Sequence, residues 1–158
     1  MGRESVSRKT VLVVDDYRPV RSLCRASLEK AGFRVLEAEN GKEALASVQT
    51  ERPDAILLDI MMPGISGWEV TAELLADRST DEIPIVFITA QSELSNRIRA
   101  YELGAHGYLT KPFDPASCAE TVAEVLDQIE RGDRDAALAE TLTALRKEKI
   151  KTPKPSPS

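Results

Sequence analysis

Hydrophobic residues fall into short runs, and the segments between them carry apolar residues at helical spacing. The runs occupy residues 11–14, 33–38, 55–58, 83–89 and 107–110. Their length is typical of buried strands, and glycines such as Gly32 and Gly104 mark the ends of the helical segments. Because each parallel strand needs a crossover connection, five strands alternating with five helices predict an α/β fold with a parallel sheet and helices on both faces.

The helical pattern continues after the fifth predicted helix. Gly132-Asp133 interrupts it, and residues 136–150 then place Leu138, Leu142 and Leu145 on one stripe. The sequence leaves open whether this segment is a bent continuation or a separate helix. We expect the stripe to be an intramolecular packing face rather than a coiled coil, because it is shorter than three heptads.

These patterns divide the chain into four parts. We expect a flexible N-terminus at residues 1–9, a folded domain at 10–130, a helical extension or linker at 131–150 and a disordered Pro/Ser tail at 151–158.

Composition and charge narrow the function classes. Hydrophobic residues make up 42% and charged residues 30%, as in a typical soluble domain. The apolar stretches are too short to cross a bilayer and the N-terminus lacks a signal-peptide pattern, so we expect a cytoplasmic protein without membrane contact. Residues 146–158 carry a charge of +4, whereas residues 1–145 carry −9, and so acidic a body argues against direct nucleic-acid binding.

Cysteine and histidine are scarce. Cys24 and Cys118 lie in helix-like segments without a CxxC partner, so we expect them to pack as small buried apolar residues. The single histidine, His106, cannot build a zinc site alone and is expected in a surface loop.

Polar side chains follow the predicted strands at their carboxyl ends. Asp15-Asp16 end the first strand, Asp59 the third and Thr89 the fourth, while the fifth leads into Lys111. In a parallel sheet these ends share one edge. Three carboxylates there would repel one another unless a cation lay among them, and oxygen ligands favour Mg²⁺. A carboxylate beside Mg²⁺, an amine and a hydroxyl suits phosphoryl transfer to an aspartate.

The sequence resembles the receiver domain of bacterial two-component response regulators. The motifs that carry the resemblance are Val13-Val14-Asp15-Asp16, Leu58-Asp59-Ile60-Met61-Met62-Pro63-Gly64-Ile65-Ser66-Gly67, Ile88-Thr89-Ala90, Gly104-Ala105-His106-Gly107-Tyr108 and Lys111-Pro112-Phe113. They occur in order over residues 9–130. The resemblance implies a receiver domain at 10–130 with a flavodoxin-like, five-stranded parallel sheet of order 2-1-3-4-5.

The resemblance also implies a role for each residue at the strand ends. Asp59 would accept the phosphoryl group, and Lys111 would contact it. The Mg²⁺ ligands would be Asp15, Asp16, Asp59 and the backbone carbonyl of Met61.

Two further residues would act as a switch. Thr89 would close on the phosphoryl group through its hydroxyl, and Tyr108 would then move inward. A cis peptide bond before Pro112 would hold Lys111 pointing into the site.

The resemblance implies a phosphorylation-dependent signalling switch of a two-component phosphorelay. A histidine kinase or a histidine phosphotransfer protein would donate phosphate to Asp59. The chain would be a phosphoryl acceptor rather than an enzyme, with autodephosphorylation left open. Its output face would be the fourth helix, fifth strand and fifth helix, at residues 92–129, read by a downstream protein target or by an effector domain of its own.

Three alternatives stay open at this point. In the first, the chain is a receiver fragment of a larger regulator, and its C-terminal helix leads to an effector. In the second, residues 136–150 hold two copies of the chain together as a homodimer. An aspartyl-phosphate phosphatase is disfavoured, because Met61 stands where such enzymes carry a second aspartate.

Overall fold

The computed structural model describes residues 8–90 and 93–151. Within these residues, strands and helices alternate along the chain until a sixth helix follows the fifth. The strands are β1 (Thr10–Val14), β2 (Arg34–Ala38), β3 (Ala55–Asp59), β4 (Ile85–Thr89) and β5 (Gly107–Thr110). The helices are α1 (Arg18–Lys30), α2 (Gly41–Thr50), α3 (Gly67–Ala76), α4 (Leu94–Glu102), α5 (Pro115–Glu130) and α6 (Arg134–Lys151).

The strands form one sheet in the order β2-β1-β3-β4-β5, and every neighbouring pair is parallel. All residues of the three inner strands are buried, because helices cover them on both faces. The edge strands β2 and β5 are partly exposed. The predicted flavodoxin-like fold and its strand order are therefore confirmed.

Two apolar cores lie on opposite faces of the sheet. On one face Leu58 and Phe87 pack among residues of α2, α3 and α4. On the other face Leu57 packs with Cys24 of α1 and Cys118 of α5. Both cysteines are fully buried with their Sγ atoms 3.1 Å apart, so the expected apolar packing is confirmed.

The fourth strand is shorter than the hydrophobic run that predicted it. The amide of Ile83 donates to the carbonyl of Thr80 within a turn, and Pro84 has no amide to donate. The carbonyl of Pro84 accepts a hydrogen bond from Ile56, after which the strand proper begins at Ile85. A proline at a strand entrance is a common arrangement.

The C-terminal segment is a separate helix that folds back onto the domain. Gly132, between α5 and α6, has a positive φ of 74° that favours glycine. Helix α6 packs against α4 and α5. Leu145 is buried, with Leu138 and Leu142 half-buried, so the stripe is an intramolecular packing face as predicted.

Residues 1–7 and 152–158 lie outside the described residues, so most of the predicted flexible N-terminus and Pro/Ser tail is untested. The division of the chain into four parts stays a prediction. Over the part of the chain that the structure describes, no helix combines the length and apolar character needed to span a membrane.

Candidate phosphoacceptor site

Three carboxylates meet at the carboxyl edge of the sheet. Asp59 is the last residue of β3, and Asp15 and Asp16 directly follow the neighbouring β1. One carboxylate oxygen from each of the three lies within 4.8 Å of the others. Asp15 and Asp59 are 0% and 3% exposed, whereas Asp16 is open to solvent. The cluster is therefore a buried acidic site with one solvent-facing ligand, and its all-oxygen donor set fits a hard divalent cation.

Lys111 reaches this cluster from the loop after β5. Its Nζ lies 2.7 Å from Oδ2 of Asp15 and 3.2 Å from Oδ2 of Asp59. The backbone amide of Lys111 donates to the carbonyl of Thr89 over 2.8 Å, which joins the loop to the end of β4. The Lys111–Pro112 peptide bond is cis, as the resemblance implied. The sequence-predicted residues thus lie together at one edge.

Burial and charge set the protonation behaviour of the site. Burial, assisted by the negative charge of Asp15, raises the pKa of Asp59 from 3.8 to about 6. The ammonium of Lys111 and the amide of Met61 oppose this effect. Burial favours the neutral amine of Lys111, but its hydrogen bonds and ion pairs with Asp15 and Asp59 raise its pKa overall. Repulsion between the carboxylates is what a bound cation would relieve.

A buried arginine that the sequence reasoning missed positions Asp15. Nη1 of Arg21 donates to the backbone carbonyl of Asp15 over 2.7 Å. Nε and Nη2 of the same guanidinium lie 3.3 and 3.5 Å from Glu37 and Glu39. Arg21 shares the buried stripe of α1 with Cys24 at a spacing of three. The sequence does contain a signal for this contact. A basic residue occupies an apolar position of the α1 stripe, and two glutamates stand at the end of β2 where they can pair with it.

The loop after Asp59 is fixed by close backbone contacts. The amide of Met61 donates to Oδ1 of Asp59 over 3.1 Å, and the amide of Gly67 donates to the carbonyl of Ile60 over 2.9 Å. A Cβ at Gly67 would lie only 2.4 Å from the carbonyl oxygen of Asp59. A side chain at this position would therefore push directly on Asp59. The carbonyl of Met61 as a metal ligand stays a prediction.

The two predicted switch residues lie on β4 and β5. Thr89 is fully buried at the end of β4, and Tyr108 is half-buried on β5. The ring centroid of Tyr108 lies 6.4 Å from that of Phe87, which lies 5.2 Å from Trp68. The guanidinium of Arg99 on α4 stacks 4.1 Å above the Trp68 ring. An aromatic row therefore connects the strands of the site to α4, while the switching roles themselves stay predictions.

His106 lies in the loop between α4 and β5, as the sequence suggested, but it is not fully on the surface. It is half-buried in a cavity beneath α6, and its backbone amide donates to the carbonyl of Ile85 over 2.8 Å. Burial, assisted by the charge of Arg134, lowers its pKa to about 4. Residues of α6, a helix whose docking position the sequence did not predict, line the same cavity as His106.

Comparison with known proteins extends these observations. Residues 11–123 match the family model of the response regulator receiver domain. The chain is 43% identical over 130 residues to the phosphate regulon transcriptional regulatory protein PhoB of Pseudomonas aeruginosa, covering 82% of this chain and 57% of that protein. It is 38% identical over 116 residues to the protein PilH of the same organism, covering 73% of this chain and 96% of PilH.

Solved structures of response regulators share this fold. The chemotaxis response regulator CheY4 of Vibrio cholerae matches with a TM-score of 0.71 and 32% identity, covering 75% of this chain and 99% of CheY4. The chain spans about half the length of several curated regulators that it matches, including PhoP of Bacillus subtilis at 50%. With the acidic site in place at the strand ends, this chain belongs to the response regulator receiver domain family.

Proposed function

We propose that the protein is a phosphorylation-dependent signalling switch in which Asp59 accepts a phosphoryl group from a phosphohistidine. The donor would be a histidine kinase or a histidine phosphotransfer protein. One observation carries the proposal: the buried carboxylate of Asp59 lies 3.2 Å from the Lys111 amine and within 4.8 Å of two further carboxylates. Such a site has a nucleophile, a fixed positive charge and ligands for a cation.

The proposed transfer moves one phosphoryl group. A carboxylate oxygen of Asp59 attacks phosphorus, the bond between phosphorus and the histidine nitrogen breaks with its electron pair going to nitrogen, and an acyl phosphate forms. The donor ring, protonated on its other nitrogen, leaves as neutral imidazole. Asp59 must be ionised to attack, and a pKa of about 6 leaves it ionised at neutral pH. Lys111 and the hydroxyl of Thr89 would bind the phosphoryl oxygens and so compensate their charge.

The site fits Mg²⁺ as its cofactor. Asp15, Asp16 and Asp59 would hold the ion, with the carbonyl of Met61 as a further ligand. When bound, Mg²⁺ would neutralise charge on the phosphoryl oxygens and remove the repulsion between the carboxylates.

The proposed output is a change in partner binding at the face formed by α4, β5 and α5. Thr89 lies on β4 beside β5, and the backbone hydrogen bond between Thr89 and Lys111 ties the two strand ends together. Closure of Thr89 on the phosphoryl group would therefore shift the end of β5 and, with it, the position of Tyr108. A downstream protein or an effector domain would read this face through the resulting shift in population.

The test is phosphoryl transfer from acetyl phosphate in the presence of Mg²⁺. We expect the wild type to gain one acid-labile, hydroxylamine-sensitive phosphoryl group and Asp59→Asn to gain none. Asp54→Asn is the matched control, since Asp54 lies at the opposite end of β3 and caps the amide of Thr10. It should be labelled like the wild type. Equal labelling of Asp59→Asn would overturn the proposal.

A further inference from the structure

Helix α6 covers the face that the proposed function assigns to partners. It packs against α4 and α5, and its inward residues follow at spacings of three and four. The inward residues are Arg134, Ala137, Leu138, Thr141, Leu142 and Leu145. A partner that binds between α4 and α5 must therefore displace a segment of the same chain.

Helix α6 lies closely against α4 and α5, but few of its side chains are buried there. Leu145 is its one buried apolar side chain within the described residues, at 5% exposure. Nη2 of Arg146 lies 2.9 Å from Oε2 of Glu102 on α4, but both side chains are more than half exposed, and such ion pairs contribute little. A cavity of about 200 Å³ lies beneath the helix, with Thr121 and Gln128 of α5 in its wall. Packing this incomplete suits a helix that detaches.

The floor of that cavity leads to the phosphoacceptor site. Tyr108 lines the cavity and packs edge-on against Phe87, two residues before Thr89 on β4. Lys111 follows Tyr108 by three residues on the same strand and loop. A movement of Thr89 and Lys111 toward a phosphoryl group would therefore shift Tyr108, which lies in the cavity beneath α6.

We propose that α6 is a detachable internal cap, docked when Asp59 is unmodified and released when Asp59 carries a phosphoryl group. Because the cap and a partner occupy one face, each excludes the other. Docked α6 also indicates what the partner looks like: a helix with apolar residues at spacings of three and four and a basic residue that reaches Glu102. This inference rests on the proposed function, since it concerns the regulation of the same site.

Hydrogen exchange of the full chain tests the release directly. The probe is beryllium fluoride with Mg²⁺, which mimics a phosphoryl group on a carboxylate, compared with Mg²⁺ alone. We expect amide exchange in residues 134–150 to accelerate by about 5-fold or more, the lower end of typical coupling between sites. The Asp59→Asn variant, which cannot bind the mimic, should show no change. Unchanged or slower exchange of α6 in the wild type would overturn the cap.

A pair of variants tests the reciprocal effect. Leu145→Asp places a charge in the docking contact, whereas Ala144→Asp places the same charge at the exposed neighbouring position. Linkage requires that weaker docking tighten the binding of beryllium fluoride, so Leu145→Asp should lower its dissociation constant about 5-fold or more in calorimetric titration. Ala144→Asp should bind like the wild type. Equal affinity of both variants, with exchange of the sheet amides still slow, would refute the linkage.

A charge exchange provides a test that does not depend on burying a charge. Glu102→Arg and Arg146→Glu each replace the weak ion pair with two like charges that repel, so each should accelerate α6 exchange more than loss of the pair alone would, and the double variant should restore the wild-type rate. Failure of the double variant to restore it would contradict the docked geometry.

Acetyl phosphate labelling separates the two proposals. If Asp59 takes no phosphoryl group, the proposed function fails. If Asp59 is labelled while α6 exchange stays constant, the switch stands and only the cap fails.

Discussion

Replacing Asp59 with asparagine should stabilise the metal-free protein. Asp59 is 3% exposed and faces the charge of Asp15. Its ionised form is therefore less favourable in the folded protein than in the unfolded chain, although Lys111 offsets part of this cost. Asp59→Asn removes the charge but keeps the size of the side chain, and Lys111 retains its ion pair with Asp15 at 2.7 Å. We therefore expect a higher free energy of unfolding for the variant at neutral pH in the presence of a chelator.

The size of the effect follows from the pKa. Folding raises the pKa of Asp59 from 3.8 to about 6, so the folded state holds more protons than the unfolded state between these values. Stability from this residue is present below pH 4 and is lost as pH rises to about 6. A tenfold change in proton affinity is worth about 1.4 kcal/mol, which gives a gain for Asp59→Asn of about 3 kcal/mol at pH 7.5. At pH 4 the gain should fall below about 1 kcal/mol.

Urea unfolding of both proteins at pH 7.5 and pH 4 with a chelator measures the two differences. His106 titrates in the same range with the opposite sign, because burial lowers its pKa to about 4, but it is present in both proteins and cancels. Glu82→Gln, at an exposed position, tests whether loss of any one negative charge has the same effect. A gain that is absent at pH 7.5, or equal at both pH values, would refute the reasoning.

Three further outcomes are expected. Gly67→Ala should lower the free energy of unfolding by about 2–3 kcal/mol and reduce labelling of Asp59, because the added Cβ would lie 2.4 Å from the Asp59 carbonyl oxygen. Urea unfolding measures the first effect and acetyl phosphate labelling the second. Arg21→Met should cost about 3 kcal/mol by leaving the Asp15 carbonyl and nearby glutamates without their guanidinium, while the exposed control Arg25→Met should cost less than about 1 kcal/mol. Mg²⁺ at 100 times its dissociation constant should stabilise the wild type by about 2.7 kcal/mol in thermal unfolding and Asp59→Asn by clearly less; equal stabilisation would argue against Asp59 as a ligand.

Local patterns were sufficient for a parallel sheet and for the position of the site, whereas the order of the strands was predicted from the family resemblance. The runs that end at Asp15, Asp59 and Thr89 are continuous in sequence, and parallel strands must bring their carboxyl ends to one edge. The proline at 84 shortened β4 because a missing amide hydrogen bond is a local property that overrides the hydrophobic run.

The amino-acid sequence by itself determined the strand and helix order, the acidic edge and the apolar stripe of the C-terminal segment, because each depends on residues that are close along the chain. Tertiary structure alone decided where α6 docks, that Arg21 holds the Asp15 loop from within, and that His106 is covered. It also decided how far burial shifts the pKa of Asp59. These features depend on contacts between residues far apart in sequence, whose distances and dielectric surroundings exist only once the helices pack on the sheet.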